Sequence, residues 1–144
     1  MREKLMKILR EDGLTIGILI LVLGAWLILR TPGDQYQTVD DFLTELKQGQ
    51  PTTVEFYSNR CSICLTSKPK VDRLEQEISP QARVIRLDVS KEPGQSLTRQ
   101  WRVTGVPTFF VFGGAGTVVY RRAGAPDIED LRDSVEALSS TPQE

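Results

Sequence analysis

The chain has 144 residues, with 18 Lys and Arg against 19 Asp and Glu, no histidine and a formal net charge of −1. The charges are interspersed, without a long basic tract or basic residues interleaved with aromatics, so no nucleic-acid partner is expected. Two cysteines without histidine fall short of the roughly four ligands of a zinc site unless two chains or carboxylates contribute, and no Gly-rich phosphate loop follows a strand. No metal or cofactor is therefore expected.

In chain order, Gly13 to Leu29 is a run of seventeen residues without a charge, enclosed by Asp12 and Arg30. As a helix it would span roughly 25 Å, the lower limit for crossing a bilayer. A cleaved leader is the alternative, but the run is longer than a usual leader core and no small-x-small cleavage pattern follows. The segment is predicted to be an uncleaved transmembrane signal anchor over 13–29. Arg2, Lys4, Lys7 and Arg10 precede it, while only Arg30 and Lys47 closely follow. That asymmetry predicts a cytoplasmic N-terminal segment over 1–12 and places the bulk of the protein in the periplasm, the cell exterior or a lumen. Trp26 fits an interfacial position near the far end.

Residues 30–37 read as a tether, 38–139 as one globular domain and 140–144 as a frayed tail. Thr38-Val39-Asp40-Asp41 resembles a capping box, with Phe42, Leu43 and Leu46 on the buried face of the helix it opens. Thr53 to Tyr57 reads as a buried strand. It leads into Cys61-Ser62-Ile63-Cys64, after which Leu65, Val71, Leu74 and Ile78 recur at helical spacing around Pro69, which is expected to kink that helix. Val84 to Val89 is a second strand, pairing parallel to the first across a right-handed crossover. A short helix carries Leu97 and Trp101. Thr108–Phe112 and Thr117–Arg121 form a hairpin about Gly113-Gly114-Ala115-Gly116, and Ile128, Leu131, Val135 and Leu138 mark a final amphipathic helix. The aromatic residues Phe56, Tyr57, Phe109, Phe110, Phe112 and Trp101 are assigned to the core. Arg86 and Asp88 are expected to pair at the surface, a place near the site being the alternative.

The cysteine pair carries the chemistry. At a strand-to-helix junction the first sulfur meets unpaired N–H groups and the positive end of the helix dipole, which favour thiolate. A purely structural bridge at this spacing would close a tiny loop and contribute little to stability. The pair therefore points to thiol–disulfide exchange.

With this order of elements and the sequence VEFYSNRCSIC, the chain resembles the thioredoxin family over nearly all of residues 36–138. Three further landmarks support the likeness: the loop Val103-Thr104-Gly105-Val106-Pro107-Thr108, Pro69 five residues after the second cysteine, and Gly124 before the last helix. The resemblance implies a three-layer α/β/α sandwich with a mixed central sheet, preceded here by the transmembrane helix. It implies Cys61 as attacking nucleophile, Cys64 as the resolving thiol and a cis bond before Pro107, with Val106 offering its backbone to a bound peptide. Glu55 lies where the family often has a buried aspartate that helps proton transfer at the second cysteine; facing solvent on a sheet edge is the alternative. Arg60 replaces a common tryptophan and adds a cation beside the nucleophile, an exposed arginine without a role being the alternative; Ser62 and Ile63 replace the frequent Gly-Pro and, with Arg60, are expected to contact substrate.

The resemblance further implies a membrane-anchored thiol–disulfide oxidoreductase outside the cytoplasm, with protein thiols and disulfides as substrates. A reductase of exported proteins such as apo-cytochrome c, fed by an integral-membrane thiol electron donor, is the leading expectation. An envelope disulfide oxidase or isomerase, and a non-redox binding module on the same fold, are the alternatives.

Overall fold

The computed structural model describes residues 13–31, 33 and 36–140. The chain divides into two units, Met1–Arg30 and Thr31–Glu144. In the first, helix α1 covers Gly13–Leu29 and is apolar on all sides. Its seventeen residues coincide with the expected anchor, yet among the described residues no helix is long and apolar enough to cross a membrane. The expected cytoplasmic segment 1–12, Pro32, residues 34–35 of the tether and the end of the tail, 141–144, lie outside the described residues.

The second unit runs α2 (Val39–Glu45), β1 (Thr52–Tyr57), α3 (Ser62–Ile78), β2 (Arg83–Asp88), α4 (Gly94–Gln100), β3 (Thr108–Phe112), β4 (Val118–Ala123) and α5 (Ile128–Ser140). The sheet order is β2-β1-β3-β4, with β1 parallel to β2, antiparallel to β3, and β3 antiparallel to β4. This is the mixed sheet of the expected sandwich. The capping box at Thr38 is present, the Thr38 hydroxyl accepting from the Asp41 N–H while the Asp41 carboxylate accepts from the Thr38 N–H.

Strand alternation divides the core into two layers. Val54, Phe56, Ile85, Leu87, Phe110 and Phe112 face α2 and α4, meeting Phe42, Leu46, Leu97 and Trp101. Trp101 packs on Phe42, Phe56, Phe110 and Phe112 at ring separations of 5.2–5.9 Å. On the other face Val84, Phe109 and Val111 meet Val71, Leu74 and Ile78 of α3 and Leu131 and Val135 of α5. Pro69 stands inside α3, which is assigned as one continuous helix from Ser62 to Ile78. β3 keeps its predicted limits, while β1, β2 and β4 begin or end one or two residues from theirs, most visibly β4, which extends to Ala123.

Candidate active site

Strand β1 delivers the chain into Ser58-Asn59-Arg60, and Cys61 caps the helix that follows. The Cys61 Sγ accepts a hydrogen bond from the Cys64 N–H at 3.3 Å, and the Cys61 carbonyl accepts from the Leu65 N–H at 3.1 Å. The sulfur thus occupies the N-cap role usually filled by a side-chain oxygen, beside otherwise unpaired amides. Both cysteines are free thiols; Cys61 is partly exposed, and Cys64, one turn further in, is only 2% exposed. Burial, reinforced by the hydrogen bond with Cys61, pushes the Cys64 thiol up to about 12. The Glu55 carboxylate is a smaller cause acting in the same direction.

The loop before β3 closes the other side of the sulfur. The Val106–Pro107 peptide is cis, and the Cys61 thiol donates to the Val106 carbonyl at 3.4 Å. Gly124, at φ +94°, donates its N–H to the Pro107 carbonyl at 2.8 Å, tying the end of β4 to this loop. Ser62, Ile63 and Arg60 are exposed around Cys61, Ile63 contributing an apolar side chain 47% open to solvent. The geometry therefore gathers Cys61, Cys64, Val106 and Pro107 into one cluster, with Arg60, Ser62 and Ile63 on its rim.

Glu55 does not face solvent on an edge, because β1 is an inner strand and the side chain is 2% exposed. Alternation puts it on the α3 face, one layer below the cysteines. Its carboxyl is raised from 4.5 to about 7, burial being the largest cause and Arg86 opposing it. Such a carboxyl exchanges protons near neutrality, where an exposed glutamate would be fully ionised.

Arg86 overturns its expected surface pairing. The parallel register sets Arg86 directly beside Glu55, and its side chain is 11% exposed. Its Nε lies 3.3 Å from the Glu55 carboxylate, and its Nη2 lies 3.0 Å from Asp72 and 2.9 Å from Glu75 of α3. Lys68 joins the group through Asp72 at 2.5 Å. The signal for Arg86 was a lone cation in an apolar strand, on the same alternation phase as Glu55. Asp88 does stay at the surface, where its carboxylate accepts from the Ser90 N–H and hydroxyl.

Sequence reasoning also missed how the chain enters this unit. The Thr31 N–H donates to the Asn59 side-chain oxygen at 2.8 Å, and the Thr31 carbonyl accepts from Asn59 Nδ2 at 3.0 Å and the Tyr57 hydroxyl at 3.1 Å. The chain thus enters the domain two residues from Cys61 in the redox loop.

The thioredoxin family model matches residues 35–137. The chain belongs to the thioredoxin family. It is 27% identical over 104 residues to the thiol:disulfide interchange protein TxlA homolog of Synechocystis sp., covering 72% of this chain and 58% of that protein. It is 28% identical over 98 residues to the chloroplastic thioredoxin-like protein HCF164 of Arabidopsis thaliana, covering 68% and 38%. The chain thus spans less than two thirds of the length of these relatives. Among solved structures, mitochondrial thioredoxin 3 of Saccharomyces cerevisiae, in oxidized form, superimposes with a TM-score of 0.63 at 23% identity, covering 79% of this chain and 99% of that one. A mutant thioredoxin of Halobacterium salinarum gives 0.62 at 25% identity, with 74% and 90% covered.

Proposed function

We propose that this protein is a thiol–disulfide oxidoreductase acting on protein disulfides through Cys61 and Cys64. The observation that carries the reading is the pairing of a partly exposed, helix-capping Cys61 with a buried Cys64 above a carboxyl poised near neutrality. In reduction, the Cys61 thiolate attacks a substrate disulfide, forming a mixed disulfide and releasing one substrate sulfur as thiolate, which takes a proton from water. Glu55 then accepts the Cys64 proton, and the Cys64 sulfur attacks Cys61. The bond from Cys61 to the substrate breaks, the second substrate sulfur leaves with the electron pair, and the enzyme is left as the Cys61–Cys64 disulfide. Cys64 needs this help because its thiol, at about 12, would otherwise hold its proton. Val106 and Ile63 offer a backbone carbonyl and an apolar contact to the peptide carrying the disulfide.

The same proposal places the enzyme on a membrane through residues 13–29, with residues 38–139 outside the cytoplasm. Support comes from the seventeen charge-free residues of α1, which fall just short of a full span, and from Arg30 stacked over Trp26 at 5.6 Å, a pair of residue types suited to a membrane interface. The TxlA homolog's name, a thiol:disulfide interchange protein, favours exchange over a binding module. We further read the direction as reduction of exported disulfides, apo-cytochrome c among them, with electrons from an integral-membrane thiol donor. Equilibrating the Cys61–Cys64 couple against glutathione and dithiothreitol buffers tests the redox reading and its direction. A potential near or below about −250 mV supports a reductase, one above about −180 mV an oxidase or isomerase, and the absence of a reversible couple overturns the enzyme assignment. Flotation of the full chain with vesicles, compared with residues 31–144, tests the anchor.

A further inference from the structure

The ionic cluster behind the dithiol is unbalanced. Glu55, Asp72 and Glu75 bring three carboxyl groups to Arg86 and Lys68, two cations. β3 sets Phe109 beside Glu55, α5 contributes Leu131 and Val135 to the same layer, and α3 adds the protonated Cys64, none of them charged. One carboxyl therefore lacks a full counter-charge. Asp72 and Glu75 are 33% and 41% exposed and keep access to water, whereas Glu55 is buried. The cost of the excess negative charge falls on Glu55, where desolvation is most severe.

The guanidinium geometry enforces this division. Both carboxylates of α3 engage Nη2 at 3.0 and 2.9 Å, drawing the outer end of Arg86 towards the helix, while Glu55 meets Nε at the longer 3.3 Å. An Arg86 free of α3 could turn its two-nitrogen fork onto Glu55 and hold it ionised. We propose that Asp72 and Glu75 are positioning residues: by competing for Arg86, they decide whether Glu55 carries a proton, and so make the outer flank of α3 a control point for the buried carboxyl. The catalytic consequence rests on the proton role proposed for Glu55. The protonation itself does not, and it can be read without any thiol exchange.

The test is a carboxyl titration of the full chain, reduced and carbon-13-labelled at the glutamate side chain, with the Glu55 signal assigned by its loss in Glu55→Gln. In Asp72→Asn/Glu75→Gln the Glu55 midpoint should fall by about one pH unit, since an opposite charge at close range shifts a carboxyl by one or more units. Asp72→Glu should restore most of the original midpoint. A midpoint that stays in place or rises in the double variant overturns the proposal. Glu75→Gln alone, at the more exposed position, gives a smaller shift of the same sign and serves should the double variant not fold; no shift there counts equally against the idea. A shifted midpoint with unchanged pH dependence of mixed-disulfide resolution would uphold the control point and reject the proton role of Glu55.

Discussion

Glu55→Gln should stabilise the domain above neutral pH while slowing exchange. The carboxyl is raised from 4.5 to about 7, chiefly by burial, so between those values the folded state holds a proton that the unfolded chain has released. More protons bound in the folded state means that stability falls as pH rises through that window; the favourable term is whole below about 4.5 and spent above about 7. A shift of about 2.5 units at about 1.4 kcal/mol each corresponds to about 3 kcal/mol lost on going from pH 4.5 to pH 8. Glutamine keeps the size of the side chain and removes the charge. It also gives up the 3.3 Å ion pair with Arg86, whose guanidinium keeps Asp72 and Glu75, so about 1 kcal/mol is set against the gain. The variant should then be more stable than the parent by about 2 kcal/mol at pH 8, and equal to it or less stable at pH 4.5. Urea unfolding of residues 31–144, fully reduced, at half-unit intervals between pH 4.5 and 8 measures this directly. If the two proteins lose stability in parallel across that range, Glu55 does not titrate there and its assignment as proton carrier fails with it.

Cys64→Ser should leave Cys61 able to form a mixed disulfide and unable to release it, so a covalent adduct with a disulfide-bearing protein such as insulin should accumulate on non-reducing gels. Cys61→Ser should give none, and adducts in both variants would break the division of roles. In the reduced wild type, iodoacetamide at pH 8 should modify Cys64 at least ~100-fold more slowly than Cys61, because Cys64 is 2% exposed and its thiol is pushed up to about 12. Mass spectrometry of the labelled peptides reads the ratio, and equal labelling would contradict the buried resolving thiol. Gly94→Ala should cost about 2 kcal/mol, since a Cβ there would overlap the Asp88 carbonyl oxygen at the turn leaving β2. An unchanged urea midpoint would show that α4 can move away from β2 without loss.

What the sequence made legible was whatever depends on neighbours along the chain. The alternation in β1, the helical repeat of Val71, Leu74 and Ile78, the glycine-rich turn before β4 and the Cys61–Cys64 spacing are each set within a few residues, and the elements form where those signals lie. Glu55 stood out for the same reason, as an acid inside an apolar strand. Its partner did not, because the pairing of Glu55 with Arg86 is fixed by the register between two strands thirty-one residues apart. A lone arginine in Val84-Ile85-Arg86-Leu87 reads as a surface residue until the strands are aligned. Parallel pairing keeps side-chain phase across the two strands, so an acid and a base on matching phases share a face, and here that face lies under α3. The hydrogen bonds from Asn59 and Tyr57 to Thr31 were hidden for a similar reason, since nothing in a polar tether marks the residue that docks. The cysteine pair alone says that exchange is chemically available. In the proposed mechanism the acceptor for the buried thiol's proton is set by a strand register and the outer flank of α3, and substitutions at Asp72 or Glu75 are therefore expected to alter the chemistry of a dithiol they do not touch.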